Sequence, residues 1–414
     1  MARPRLVPAL ADLTQDIAGP IPVDLLTEWV AGRQDLDKAR ALLSPFELDG
    51  IVVSSDSSGL TELTEHADLV DVLAMVSKPK EILHALGDEV GGRAIGTWVA
   101  DNTQMFYPPS VAMETVVSAM FEAQARISAT CQVRVGLCAH QGAFYEIGGG
   151  LYGGDASLVE MLAETYAGPG ELLLTEPSAS DLVTRGIVTA TLRPELSVHH
   201  APGVMRVIDA PGTPHLAGSQ RGYPHPFPAR FFDALGALAA SGSADASRAH
   251  IYDTWLRERT VVFLVRDRPR RRRVDITDLL DELSANAVME AIIRQSRDAQ
   301  GHVASLGGGL AILVFDHPVD ALSAARRLRQ ACADSNLDAR IGIDVGAVLA
   351  FTNDDGPSGL AGDAVNVASK LAEDVGENGT IAITARAAEM IPGLEPGVRF
   401  HVVVSRVPLD GIRL

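Results

Sequence analysis

Apolar residues along this chain recur with two periods. Short runs, GIVVS at 50–54 and TVVFLV at 260–265, are nearly continuous and predict buried strands. Longer stretches, LVDVLAMV at 69–76 and LLDELSANAVMEAII at 279–293, repeat every three or four residues and predict helices. Each is followed by a hairpin ending in MFY (105–107) or LVF (313–315), then a helix, then a strand opening RVGL (134–137) or RIGI (340–343). A GDA segment (154–156, 362–364) opens a further helix, and ELLLT (171–175) or TIAIT (380–384) a further strand. This interleaving predicts an α+β or α/β sandwich on a βαββαβ core, with a mixed, largely antiparallel sheet.

The same succession occurs twice. Matched positions lie 208, 206 and 208 residues apart (101 to 309, 136 to 342, 154 to 362), which predicts two homologous domains. The expected division is an N-terminal helical brace at 1–45 (DLLTEWV, DLDKARALL), one domain at 46–212, a linker at 213–254 and a second domain at 255–414. Within the linker, PGTPHLAGSQRGYPHPFP breaks regular structure, FFDALGALAA suits a short helix and SGSADAS is linker-like. Read letter by letter, Asn366 and Lys370 of GDAVNVASK stand against Leu158 and Leu162 of GDASLVEML.

Composition narrows the functions. With 414 residues, 47% of them hydrophobic, the chain can bury real cores. A net charge of −18 argues against nucleic acid and anionic membranes, so a phosphate-bearing ligand needs local cations or metal. The run RDRPRRRR at 266–273 reads as a solvated loop offsetting that charge. The apolar run LAILVF at 310–315 is too short to span a bilayer, and MARPRLVPALADLTQD lacks the apolar core of a signal peptide. Cys131, Cys138 and Cys332 form no CxxC spacing and read as buried thiols of a cytoplasmic protein.

Four motifs carry the chemistry: S-S-D-S-S-G-L-T at 54–61, A-D-N at 100–102, the strands RVGLCAHQG (134–142) and RIGIDVG (340–346), and GDAVNVASK at 362–370. In this order they resemble the class III nucleotidyl (adenylyl/guanylyl) cyclase homology domain, in two copies spanning roughly 46–210 and 255–414. The resemblance implies two ferredoxin-like domains packed as a pseudo-twofold pair within one chain. It also implies conversion of a nucleoside triphosphate to a 3′,5′-cyclic nucleotide and pyrophosphate. Asp56 and Asp101 match the family's ligands for two divalent ions, Mg²⁺ or Mn²⁺. Ser57, Ser58 and Gly59 match a phosphate-approaching turn, and Arg134 a triphosphate-binding arginine. Asn366 and Lys370, four residues apart and so on one helical face, match residues that orient the ribose and stabilise the reacting phosphate. Alone, Asp56 also suits a turn cap, Arg134 a surface strand, and Asn366 and Lys370 a solvated helix.

The second copy has Gly309 against Asp101, and the place of Asp56 falls near 264–266. One equipped site and one unequipped site are therefore expected. Departures leave a second reading open, a degenerate homologue that binds a nucleotide or partner and regulates without turnover. Lys370 stands for an arginine, Ser305 and Gly359 occupy the base-selecting positions, and Asp410 stands where the family has a phosphate lysine.

Overall fold

The structure, a computed structural model, describes residues 21–58, 68–98, 102–196, 203–212, 215–225, 227–242, 245–267, 275–296, 301–353, 356–404 and 407–414. The chain divides into two compact units. One comprises Leu43–Pro226 with Leu235–Ser243; the other comprises Phe227–Ala234 and Ala244–Leu414 together with the chain up to Leu42.

Helices α1 (Val23–Ala31) and α2 (Leu36–Leu43) come first. Repeat one then runs β1 (Glu47–Ser58), α3 (Leu69–Glu89), the hairpin β2 (Arg93–Ala94) and β3 (Thr103–Tyr107), α4 (Met113–Thr130) and β4 (Arg134–Ile147). β5 (Gly150–Tyr152) folds back on β4, and α5 (Gly154–Met161) ends in a π-helical turn (Leu162–Tyr166). β6 (Leu172–Thr175), α6 (Glu176–Thr184), β7 (Thr189–Leu192) and β8 (Val204–Asp209) complete it. The sheet order is β2-β3-β1-β4-β6-β8-β7, antiparallel except where β6 lies parallel to β4. Side chains alternate across it. Val52, Cys138 and Phe144 meet Ala156, Val159 and Leu162 of the α5 segment on one face.

Helices α7 (Ala229–Ala240) and α8 (Asp245–Trp255) lead into repeat two. It consists of β9 (Leu256–Arg266), α9 (Ile276–Gln295), β10 (Gly301–Gly307), β11 (Leu310–Phe315), α10 (Pro318–Asp334), β12 (Ala339–Asn353), β13 (Gly356–Ala361), α11 (Asp363–Lys370) with a π-helical turn (Leu371–Val375), β14 (Ile381–Thr384), α12 (Ala385–Glu389), β15 (Val398–Val404) and β16 (Val407–Arg413). Its order, β10-β11-β9-β12-β14-β16-β15, repeats that of the first sheet. Asp275 caps α9 through the backbone N–H groups of Thr277 and Asp278.

The end of SGSADAS, Asp245 to Ser247, forms the first turn of α8, with Asp245 as its acidic residue. The N-terminal helices belong with the second repeat. Trp29 of α1 is fully buried and donates its indole N–H to Asp281 Oδ1 of α9 at 2.9 Å. With α1 against it, α9 is buried nearly all round, its polar Asp278, Asn286 and Glu290 included. Phe227, Phe231, Trp255 and Phe351 form an aromatic cluster in the same unit.

Strand pairing places the repeats in register. Tyr107 faces Ile51, and Phe315 faces Thr260, so Ile51 corresponds to Thr260 and Asp56 to Val265. Gly142 faces Gly50, and Gly346 faces Arg259, so Gly142 corresponds to Gly346. Gly136, opposite Asp56, then corresponds to Arg340, opposite Val265. The RVGL and RIGI stretches are therefore staggered by two residues in the sheets. The GDA segments are staggered by one. Gly153 and Gly362, both with positive φ, precede α5 and α11, and the two π-helical turns begin at Leu162 and Leu371.

Candidate functional site

Asp56 sits near the end of β1, half-buried, opposite Gly136. A side chain at Gly136 would meet the Ala167 carbonyl oxygen at 2.3 Å, so the strand beside Asp56 must be bare. Ser57 is buried, and Ser58 ends the strand opposite Arg134. β1 is tied to β3 by Ser55 and Thr103, whose hydroxyls lie 2.6 Å apart. Asp101 and Gly59 lie outside the described residues, as does the Ser58 side chain. Among the described residues no three metal-ligating side chains cluster.

Arg134 is engaged locally. Its guanidinium donates to the Ile127 carbonyl at 2.8 Å, satisfying the C-terminal end of α4. The register also sets Arg134 two residues away from the counterpart of Arg340. Arg340 binds elsewhere, donating to the Glu373 carbonyl at 2.7 Å and pairing with Asp267 at 3.5 Å.

At the corresponding place in repeat two, Val265 replaces Asp56 and packs in an apolar cluster. The next residue, Arg266, is only 5% exposed. Its Nε donates to Asn286 Oδ1 at 3.0 Å, its Nη2 bonds Glu282, and its backbone N–H donates to the Gly309 carbonyl at 2.8 Å. Gly309 has φ +85°, and a Cβ there would lie 2.7 Å from Asn286 Oδ1 and 3.7 Å from Arg266 Nε. A fixed guanidinium thus stands next to Val265, where the first repeat has the buried Ser57 next to Asp56. Asp267, the next residue along the chain, is held by Arg340 and by the Asn378 amide at 3.1 Å.

Asn366 is exposed on α11, and Lys370, half-buried, ends the same helix. Their local bonds are structural: the Asn366 N–H donates to Gly362, and Ser369 Oγ donates to the Asn366 carbonyl. One turn beyond, burial raises the Glu373 pKa, as does Asp374, against the pull of Arg340 and Lys370. With the one-residue stagger corrected, the counterparts of Asn366 and Lys370 are Ser157 and Met161, not Leu158 and Leu162. Burial agrees, because Leu162 and Leu371 are both fully buried. The first repeat still offers neither an amide nor a cation on this face. Ser305 lies at a bulge in β10 and Gly359 in β13, and these strands lie against each other within the unit. Asp410 Oδ1 lies 2.5 Å from His401 Nδ1 on the exposed β15–β16 hairpin and accepts from it.

Sequence reasoning missed a buried polar cluster at the β4–β6 junction. His140 Nδ1 lies 2.8 Å from Thr175 Oγ1, which lies 2.8 Å from Ser178 Oγ. His140 Nε2 stands 3.4 Å from Asp155 Oδ1, and the Ala143 N–H donates to Oδ2 at 2.9 Å. The imidazole, opposed by partial burial and helped by this N–H, holds the Asp155 carboxyl below its usual range. In repeat two the corresponding residue is Asp344, fully buried, accepting from Thr384 Oγ1 at 2.6 Å and from Arg386 Nε at 2.8 Å. The bond to Asp344 is the main reason that the Arg386 pKa rises. The signal was the H-Q-G and D-V-G pair two residues past the matched letters.

Two of the three cysteines are buried, and Cys131 is only half so. Burial pushes the Cys332 thiol up to about 11 and the Cys138 thiol higher still. Among the described residues no helix is long and apolar enough to cross a membrane.

Solved structures similar to this chain include a class III adenylyl cyclase-like ATP-binding protein from Pseudomonas aeruginosa, at 11% identity over 84% of this chain and 85% of that one, with a TM-score of 0.48. The adenylyl cyclase CyaB from P. aeruginosa matches at 13% identity over 40% of this chain and 96% of its own, with a TM-score of 0.35. An adenylate/guanylate cyclase/hydrolase from Silicibacter pomeroyi matches at 21% identity over 38% and 96%, with a TM-score of 0.30. No family model and no curated protein sequence matches the chain.

Proposed function

We propose that the chain is a class III nucleotidyl cyclase with a single nucleotide site, converting a nucleoside triphosphate to its 3′,5′-cyclic nucleotide and pyrophosphate. The observation that carries this reading is the contrast at the ends of β1 and β9. Asp56 stands among serines and opposite Gly136, whereas Val265, Arg266 and Asn286 hold the equivalent place. A corner closed by a buried arginine has no use for a cation; one closed by serines and a carboxylate has.

Asp56 and Asp101 would hold the divalent ions, Mg²⁺ or Mn²⁺. Two carboxylates suit ions that take their remaining ligands from substrate phosphates and water. Such ions supply acidification of the ribose hydroxyl and neutralisation of phosphate charge. Ser57, Ser58 and Gly59 receive the phosphates. Arg134 contributes only by leaving the Ile127 carbonyl, so its role is the weakest of the set. Asn366 orients the ribose and Lys370 meets charge developing on the reacting phosphate, across a pseudo-twofold pairing of two ferredoxin-like domains. Ser305 and Gly359 line the base pocket and bring little hydrogen-bonding selectivity.

The test is a panel of ATP, GTP, CTP and UTP with Mn²⁺, comparing the wild-type chain with Asp56→Ala. Cyclic product from one nucleotide, abolished by the substitution, supports the reading. No product from any of the four overturns it. A second reading, a non-catalytic homologue that binds nucleotide, is favoured by the engagement of Arg134 with Ile127. It predicts nucleotide-dependent thermal stabilisation without turnover.

A further inference from the structure

The first long helix of each repeat is covered by chain from elsewhere. α1 lies against α9, and residues 216–225 lie along α3. The latter segment has no regular secondary structure, in keeping with its glycines and proline, yet it is tied down along its length. Ser219 donates its backbone N–H to the Ala85 carbonyl at 2.9 Å, and Gly218 donates to the Glu89 carboxylate. Arg126 of α4 holds the Leu216 carbonyl at 2.6 Å, and Arg221 pairs with Asp88 at 3.4 Å. Gly218 has φ +90°, and a Cβ there would lie 3.2 Å from Ala85 Cβ, so a bare residue lets the chain come this close. At the other end Tyr223, 3% exposed, stacks on Trp98 at 5.6 Å, and the Pro224 carbonyl accepts from the Trp98 N–H at 2.8 Å. The segment is a strap, fastened to α3 and to the chain after β2.

His84 of α3 is enclosed where the strap passes. Its imidazole is 5% exposed, meets the Trp98 ring edge-on at 5.6 Å, and has no hydrogen-bond partner at Nδ1 among the described residues. Burial holds its pKa below the usual value; Asp88 and the Arg221 backbone pull the other way, and the Arg221 guanidinium adds to the lowering. The ionisable groups next along α3, α4 and the strap are otherwise engaged. Lys80 donates to the Trp98 carbonyl at 3.3 Å, Glu81 pairs with Lys78 at 3.0 Å, Arg126 pairs with Glu122 at 2.8 Å, and the His225 ring meets Tyr223. A proton added to His84 brings a full charge and a second N–H into an enclosed place, with nothing at Nδ1 to receive it. With the strap lifted, water receives both.

We propose that residues 216–225 form a pH-sensitive strap: protonation of His84 releases it from α3 and frees Trp98, while the rest of the repeat stays folded. A solvated histidine takes its proton near pH ~6.5, and the enclosed one only at lower pH. The strap is therefore fully held above about pH 6.5 and loosens as pH falls from there towards the enclosed value. This device goes beyond nucleotide cyclisation and does not depend on it.

Amide hydrogen exchange of the full chain, read by mass spectrometry from about pH 7.5 to 5.5 and corrected for the intrinsic rate, tests it. In the wild type, protection of peptides covering 216–225 and Trp98 should fall severalfold, by at most about tenfold per pH unit, the limit for one proton. Protection of β4 and β6 should not change. His84→Gln should hold the strap's protection constant over the range; His84→Phe takes its place if circular dichroism shows the first unfolded. His225→Gln should keep the wild-type fall, which assigns the proton to His84. Strap protection that does not change with pH in the wild type would overturn the proposal. So would an equal fall in the folded His84 variant, loss of the fall in His225→Gln, or a fall shared by β4 and β6.

Discussion

The two repeats share a strand order and differ in what they bury at equivalent points. At the end of the central strand, one has a half-buried carboxylate among serines and the other a valine followed by a buried arginine. At the junction of β4 and β6, the His140 imidazole faces Asp155; in the other repeat Asp344 sits at the imidazole's place and faces Arg386. Duplicated folds constrain apolar volume and hydrogen-bond satisfaction, not the sign of the charge that satisfies it. Divergence can thus swap the ions at equivalent points while the ladder stays unchanged.

The largest effect that would break this comparison is on chemistry. Asp56→Ala should lower cyclic-product formation by about 10³-fold or more, measured as turnover with Mn²⁺. Gly309→Asp should restore nothing to repeat two. It should also lower stability by about 1–2 kcal/mol, because φ is positive and the Cβ meets Asn286, checked by urea unfolding. Next, Asn366→Ala should cost roughly 10²–10³-fold in kcat, while Ser157→Ala leaves kcat unchanged, which tests the corrected register in one assay.

A smaller effect concerns the polar clusters. Asp344→Asn strands Arg386 beside a buried amide and should cost about 2–3 kcal/mol of stability. His140→Gln, which removes a ring bonded to a hydroxyl, should cost about 1 kcal/mol by the same melt. The smallest concerns pH. The folded Asp155 carboxyl lies below its unfolded value near 4, so its contribution is present above that value and lost as pH falls through the folded one. At its partial exposure this is under about 1 kcal/mol. Denaturation between pH 5 and 2.5 should show the loss in the wild type and not in Asp155→Asn.

Much of the architecture was legible because strands and long helices announce themselves by period. The stagger of RVGL against RIGI was not. A two-residue slip keeps every side chain on its own face, so the pattern of apolar residues is blind to it. The one-residue slip of the GDA segments was hidden by identical letters at the helix start. It is decided at the other end, by Leu162 and Leu371 entering their cores. Asp56, Asn366 and Lys370 were singled out by the order of the motifs S-S-D-S-S-G-L-T and GDAVNVASK, not by the apolar pattern. Arg266 could not be singled out, because a buried arginine and a loop arginine look alike until Asn286 and Glu282 are placed around it.

Trp29 and its partner Asp281 are separated by 252 residues. On a ribosome adding about 5–20 residues per second, roughly 12–50 s pass between the synthesis of the two. During that interval α1 has no α9 to cover, while repeat one, complete by then, can fold without it. The first helices described are thus among the last to find their place. A chain halted before α9 would carry Leu26 and Trp29 exposed, a mark by which quality control could tell an unfinished molecule from a finished one.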